Sequence, residues 1–178
     1  DSAATDTPVT SWNDLWRDEF AGRIVLPNIN TTAGALIVVA AADRVGVDPF
    51  EDPDAAFESL AELAPNLLTT YNASSELVNL FAQGEIVIAP AQDFALGSIQ
   101  AAVPTAVWAE LDEGAFANLN SINIIAGSDQ RELAHAFINW HLEASVQHAL
   151  AVTRVDAPIN MEVELTPEEA AGWTYGQE

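Results

Sequence analysis

One pattern constrains the fold more than any other: short apolar runs alternate with longer helical ones, joined by turn-forming residues. Residues 22–46, GRIVLPNINTTAGALIVVAAADRVG, show it most plainly. RIVLP predicts a buried strand and NINTT a polar corner. Thr31 or Thr32 then starts a helix through Asp43, and Gly46 closes it. Strand, corner and helix in this order are what an α/β layered fold with a largely parallel sheet requires.

The pattern continues along the chain. Residues 1–10 read as a polar tail. Ser11 can cap a short helix, SWNDLWRDEF, with Trp12, Leu15 and Trp16 at helical spacing. DPFEDPD is a proline-punctuated loop, and Asp54 lies at or just inside the next helix, which ends near Ala64. LLTTY predicts a strand. SSELVNLFAQG predicts an amphipathic helix with Leu77, Leu80 and Phe81 on one face and Gly84 as its stop. IVIAPA, AVWAEL and SINIIAG predict further strands, and DFALGSIQAA a short helix. The longest predicted helix covers residues 129–152, with Leu133, Ala136, Phe137, Trp140 and Leu150 as its buried side. RVDAPIN forms a corner, and a polar helix begins at Thr166 and Pro167.

Composition narrows the function. An apolar fraction of 49% is enough for a core. The longest nearly unbroken apolar run, residues 33–42, is too short to cross a bilayer. Five basic residues stand against 27 acidic ones, a formal net charge of −22, and every basic residue is Arg. Nucleic acid and anionic lipid are recognised by clustered cations, so neither is an expected partner. Complete loss of Lys beside so many acids predicts adaptation to high salt, where screening removes most self-repulsion. There is no Cys, which excludes disulfides and thiolate catalysis.

Reactive constellations are missing. His135, His141 and His148 stand six and seven apart, and neither interval gives the i, i+4 pair of a two-histidine metal site. No Ser sits in a G-x-S-x-G turn, and no glycine-rich phosphate loop occurs. With 27 acids, neighbouring carboxylates such as Glu51, Asp52, Asp54, Glu168 and Glu169 need no catalytic explanation. Asn30-Thr31-Thr32 and Asn72-Ala73-Ser74 match a glycosylation pattern short enough to arise by chance. What remains is positional: strands end in small polar residues at 28–32 and 91–93, and another is entered through 118–121. In a parallel sheet the carboxyl ends of the strands face one crevice, where ligands sit. A helix starting at Thr31 would aim its free N–H groups there.

At these residues the segment order resembles the extracytoplasmic solute-binding proteins of ABC importers, in the group with polyamine- and iron-binding members. SWNDLWRDEFAGRIVLPNINTTAG is similar to that family's helix, Gly-led strand and polar helix start. ELVNLFAQGEIVIAPA, LNSINIIAGSDQRELAHAFINWHLEASVQHALA and RVDAPIN resemble later family segments, the last without the usual Gly-Tyr pair. The likeness covers nearly all of residues 11–165. It implies a periplasmic-binding-protein-like (type II) α/β fold, a mostly parallel sheet flanked by helices, with the first lobe incomplete. Residues 11–116 would form the second ligand-binding lobe, 117–154 would return to the first lobe, and 155–178 would cross back and end in the C-terminal helix. The chain then reads as the C-terminal portion of a longer protein, periplasmic or extracellular, lipid-anchored or free.

The resemblance also implies a role: capture of a small polar solute between two lobes and delivery to ABC permease subunits, without cofactor, metal or catalysis. The ligand-binding set it implies is Thr31, Thr32, Gln92, Asp93, Asn120 and Asp156. Polyamine binders grip ammonium groups with carboxylates and rings. Here Asn120 stands where the family has a hinge aspartate, Ala91 where Trp is frequent, and Thr31 and Thr32 where acids are expected. Iron binders use adjacent tyrosines, whereas Tyr71 and Tyr175 are far apart. The expected solute is therefore neutral or zwitterionic, with Asp93, then Asp156, as the acids placed to meet an amine. The expected cover for the first-lobe face is the missing N-terminal half or a second chain. The alternatives are an acidic α/β hydrolase or lyase using Asp93 with a histidine as acid–base pair, and an interaction module without a small-molecule site.

Overall fold

The structure is a computed structural model; it describes residues 1–153 and 155–170. The chain divides into two compact units, Asp1–Asn118 and Leu119–Glu178.

In the first unit the polar tail leads to two 3-10 turns, Trp12–Trp16 and Asp18–Phe20, where a single short helix was expected. Ser11 caps the first turn by accepting from the Asn13 N–H at 3.1 Å, while Asp14 accepts from the Ser11 N–H. β1, Ile24–Pro27, follows and is buried along its whole length. α1, Thr32–Val45, is capped by Thr31 and ends at Gly46, whose φ of 72° suits the only residue type without a Cβ clash there. α2, Pro53–Ala61, starts from Asp52, whose side chain accepts from the Ala55 N–H. β2, Leu67–Tyr71, then lies parallel to β1, with Pro27 opposite Tyr71. α3, Ser74–Ala82, and α4, Leu96–Ala102, complete the unit's helices.

The period-2 geometry of a strand explains why β1 is apolar throughout. Ile24 and Leu26 enter one core with Leu15, Phe20, Ile37, Leu63 and Val87. Val25, between them, enters the other with Tyr71, Leu77, Phe81, Ile86 and Ile99. β1 is thus sandwiched between helical layers, the α/β arrangement that the alternation predicts. β2 is an outer strand, its middle residues exposed. Buried Asn66 ties the first 3-10 turn to this sheet, donating to the carbonyls of Leu15 at 2.8 Å and Arg17 at 3.0 Å.

Two predicted strands of this unit are not strands. IVIAPA contributes one parallel bridge, Ile24 to Ile88, and AVWAEL adopts no regular structure. A strand needs a neighbour on its edge, and apolar sequence alone does not supply one.

In the second unit SINIIAG likewise forms no strand, and the predicted long helix breaks at Leu142 and Glu143. It becomes α5, Arg131–His141, and α6, Ala144–Val152. Buried Gln147 fixes the following corner, donating to the His141 carbonyl at 2.9 Å and accepting from the Ile159 N–H at 3.0 Å. α7, Pro167–Ala170, begins at the predicted place; Tyr175 lies outside the described residues. The predicted buried side of α5 is instead exposed: Leu133 by 66%, Phe137 by 52% and Trp140 by 51%.

Candidate functional site

The parallel register sets the carboxyl ends of β1 and β2 side by side, so the chain leaves both strands toward the same place. After Pro27 it turns through residues 28–31 into α1; after Tyr71 it turns through Asn72 and Ala73 into α3. Between these corners is a hollow of about 320 Å³, walled by Asn30, Thr31, Thr32, Asn72, Ser74 and Gln92, with Tyr71 and Leu77 also contributing.

The first corner is held by its own hydrogen bonds. The Thr31 hydroxyl donates to the Asn28 carbonyl at 2.7 Å and accepts from the Gly34 N–H at 3.1 Å. Asn28 accepts from the Asn30 N–H at 3.0 Å through its side chain. Gly34 makes this closeness possible. A Cβ there would come within 2.1 Å of the Asn28 carbonyl oxygen and 2.7 Å of the Ile29 Cα, both backbone atoms. In the second corner the Glu76 carboxylate accepts from the Asn72 N–H at 2.8 Å.

Among the described residues, no charged side chain lines the hollow. Its lining offers hydroxyls and side-chain amides, and it holds the first residues of two helices, whose N–H-rich ends favour negative charge. Buried Tyr71 donates its hydroxyl to the Pro90 carbonyl at 2.8 Å, and burial pushes its pKa up to about 12. It stays neutral at any ordinary pH. Such a lining can hold polar groups and orient them, and its described side chains are hydroxyls, amides and apolar groups.

Of the sequence-derived residues, Thr31, Thr32 and Gln92 come together in this hollow. Asp93, next in sequence, opens a 3-10 turn and accepts from the Phe94 N–H at 2.9 Å; it is not among the lining residues. Asn120 and Asp156 lie in the second unit, where the Asn120 amide donates to the Asp156 carboxylate at 2.5 Å. Asn30, Asn72, Ser74 and Gly34 were not read as site residues. Their signal was present: TTYNASSE repeats the strand, polar corner and helix start of LPNINTTAG. Among the described residues no group of His, Asp and Glu is arranged to hold a metal ion. None of the described helices is long and apolar enough to cross a membrane.

The sequence matches the family model for bacterial extracellular solute-binding proteins over residues 1–175. The chain belongs to that family. It is 29% identical over 152 residues to the spermidine/putrescine-binding periplasmic protein of Escherichia coli, covering 82% of this chain and 41% of the relative. To spermidine/putrescine-binding periplasmic protein 1 of Haemophilus influenzae it is 27% identical over 174 residues, covering 90% and 46%. A crystal structure of an ABC transporter from Clostridium perfringens superposes with a TM-score of 0.85 at 42% identity, covering 95% of this chain and 54% of that one. An extracellular solute-binding protein structure from Bordetella parapertussis shares the fold, with a TM-score of 0.71 at 19% identity. This solute-binding protein chain thus spans about half the length of the relatives it matches. The family consists of binders rather than enzymes, and the hydrolase or lyase alternative finds no support in it.

Proposed function

We propose that the chain is the C-terminal portion of the substrate-binding component of an ABC importer, working outside the cytoplasmic membrane, in the periplasm or anchored at the surface by lipid. It captures a small polar solute between two lobes and hands it to permease subunits. The observation that carries this reading is the hollow between the β1 and β2 corners, lined by uncharged polar residues in a chain of solute-binding family. Residues 11–116 belong to the second lobe, 117–154 return to the first, and 155–178 cross back; the absent N-terminal half, or a second chain, covers the first-lobe face.

The names of the relatives in Escherichia coli and Haemophilus influenzae favour an amine-bearing solute. The lining favours one that is neutral or zwitterionic. Two bare ammonium groups would ask for carboxylates, whereas hydroxyls, amides and helix starts suit a carboxylate or hydroxyl group. An amino-acid-like solute satisfies both, its carboxylate toward Thr31, Thr32 and Ser74. Asp93, Asn120 and Asp156 join the ligand-binding set on the family resemblance, with Asp93 as first candidate for the amine.

Uncharged walls also fit a task of holding and releasing, because they cost less to desolvate than ions. Binding energy can then go into lobe closure. The test is a melting-shift screen of the full-length protein with putrescine, spermidine and the common amino acids, beside its Asn120→Ala variant. At least one compound should raise Tm, and the variant should lose most of that shift. Shifts left unchanged by Asn120→Ala would remove Asn120 from the site.

A further inference from the structure

The hollow between the β1 and β2 corners has a third wall, Gln92, which belongs to neither strand. Gln92 follows the segment that meets β1 at the single Ile24–Ile88 bridge. Past that bridge the ladder stops. Pro90 is buried and has no N–H to give, and among the described residues the Tyr71 hydroxyl is the one hydrogen-bond partner of residues 90 and 91. The Gln92 carbonyl accepts from the Ala95 N–H at 3.0 Å, opening the next turn. Its exposed side-chain amide has no partner among the described residues, so both its donors and its acceptor are open to a solute.

Ile24 pairs with Leu67 on one edge and with Ile88 on the other, so β1 separates the strand that carries Tyr71 from the segment that carries Pro90. The Tyr71 side chain therefore reaches past β1, in the core that holds Val25, Leu77 and Ala95, before its hydroxyl donates to the Pro90 carbonyl at 2.8 Å. The Tyr71 main-chain carbonyl accepts from the N–H of Asn28, the first residue of the β1 corner, at 2.8 Å. Its peptide bond leads straight to Asn72 and the second corner. One residue thus ties together all three walls. We propose that Tyr71 is the positioning residue of the solute site, holding Gln92 in place against the two helix starts. This inference rests on the solute reading above and adds the residue that fixes its geometry. The phenol is hard to replace. Without it the buried Pro90 carbonyl either stays unpaired or turns toward water, and turning it rotates the peptide that leads to Ala91 and Gln92. Phe at this position would keep the ring and its packing and remove only the oxygen.

Two measurements on the full-length protein test it. The first, nitrogen relaxation of the backbone amides, needs no solute. In the natural protein the Gln92 amide should be as ordered as those of α1, with an order parameter near about 0.85; in Tyr71→Phe it should fall below about 0.6 while α1 keeps its value. A loss of global stability alone leaves native-state order parameters where they were. The second is a double-mutant cycle read by calorimetry, titrating the amino acid that gives the largest melting shift. Tyr71→Phe and Gln92→Ala should each weaken binding about tenfold, and the double variant by about tenfold too, because Tyr71 acts through Gln92. Unchanged order at Gln92 in Tyr71→Phe, or a double variant weakened about a hundredfold, would overturn the proposal. So would a Gln92 amide already disordered in the natural protein, an outcome that requires no variant to fold. Loosening at Gln92 with no heat from any titrant would uphold the role of Tyr71 and tell against the solute reading instead.

Discussion

Pro27 stands opposite Tyr71 in parallel register, and that one pairing brings the Thr31 and Ser74 helix starts to the rim of a single hollow. The two residues are 44 positions apart, so the site is a product of topology and not of any local motif. Each strand end contributes a corner, and each corner contributes the first turn of a helix. The predictions below follow from that geometry and from the charge and exposure around it.

Gly34 is the tightest point of the first corner. Gly34→Ala would put a Cβ into the backbone of Asn28 and Ile29, and neither can move without shifting the end of β1. Overpacking against backbone should cost roughly 2–3 kcal/mol, lowering Tm by about 4–12 °C for a chain of this size. Thermal or denaturant unfolding measures it directly.

Thr31 caps α1 through its hydroxyl. Thr31→Ala should cost about 1 kcal/mol, and Thr31→Ser should recover most of the loss, because Ser keeps the oxygen that accepts from Gly34. Urea unfolding of the two variants separates the cap from the lost methyl group.

Tyr71 gives a pH signature. Burial raises its pKa from 10.0 to about 12 in the folded protein, so the folded state holds the phenolic proton more tightly than the unfolded one. The stability tied to this group is fully present below pH 10 and is lost as the pH rises through about 12. Tyr71→Phe should flatten that alkaline fall while costing about 1 kcal/mol at neutral pH through the lost bond to Pro90. Unfolding curves at stepped alkaline pH check the slope.

Phe137 and Trp140 sit on α5 with ring centroids 5.6 Å apart and about half their surfaces exposed. Exposed aromatic surface of this kind drives association. The 178-residue chain should therefore bind hydrophobic dye or sediment above monomer mass, and the Phe137→Ser, Trp140→Ser double variant should do so markedly less. An unchanged sedimentation profile would show that this face is not what associates.

Much of the first unit was legible in the sequence, and the reasons are local. Thr31, Gly46, Asp54 and the apolar run RIVLP each mark a helix start, a stop or a buried strand, and the elements fall where those residues place them; that Asp52 is the cap of α2 is seen only in the structure. TTYNASSE shows a second strand, polar corner and helix start, but only the pairing of β2 beside β1 brings Asn72 and Ser74 to the same hollow as Thr31. IVIAPA and AVWAEL have strand composition, but a strand is a relation between segments, and neither finds a full partner among the described residues. On α5 the apolar face was read correctly as a face. Periodicity identifies such a stripe; it does not say what covers it.

The central claim is that the uncharged hollow between the two corners takes up a small solute, and titration calorimetry of the full-length protein addresses it most directly. The titrants are putrescine, spermidine and the amino acid that gives the largest melting shift, applied to the natural protein and to Thr32→Val and Gln92→Ala. We expect one of these solutes to bind, and each substitution to weaken it by about tenfold, the worth of one lost hydrogen bond to a charged group. Equal affinity for all three proteins, or no heat of binding from any titrant, would contradict the account.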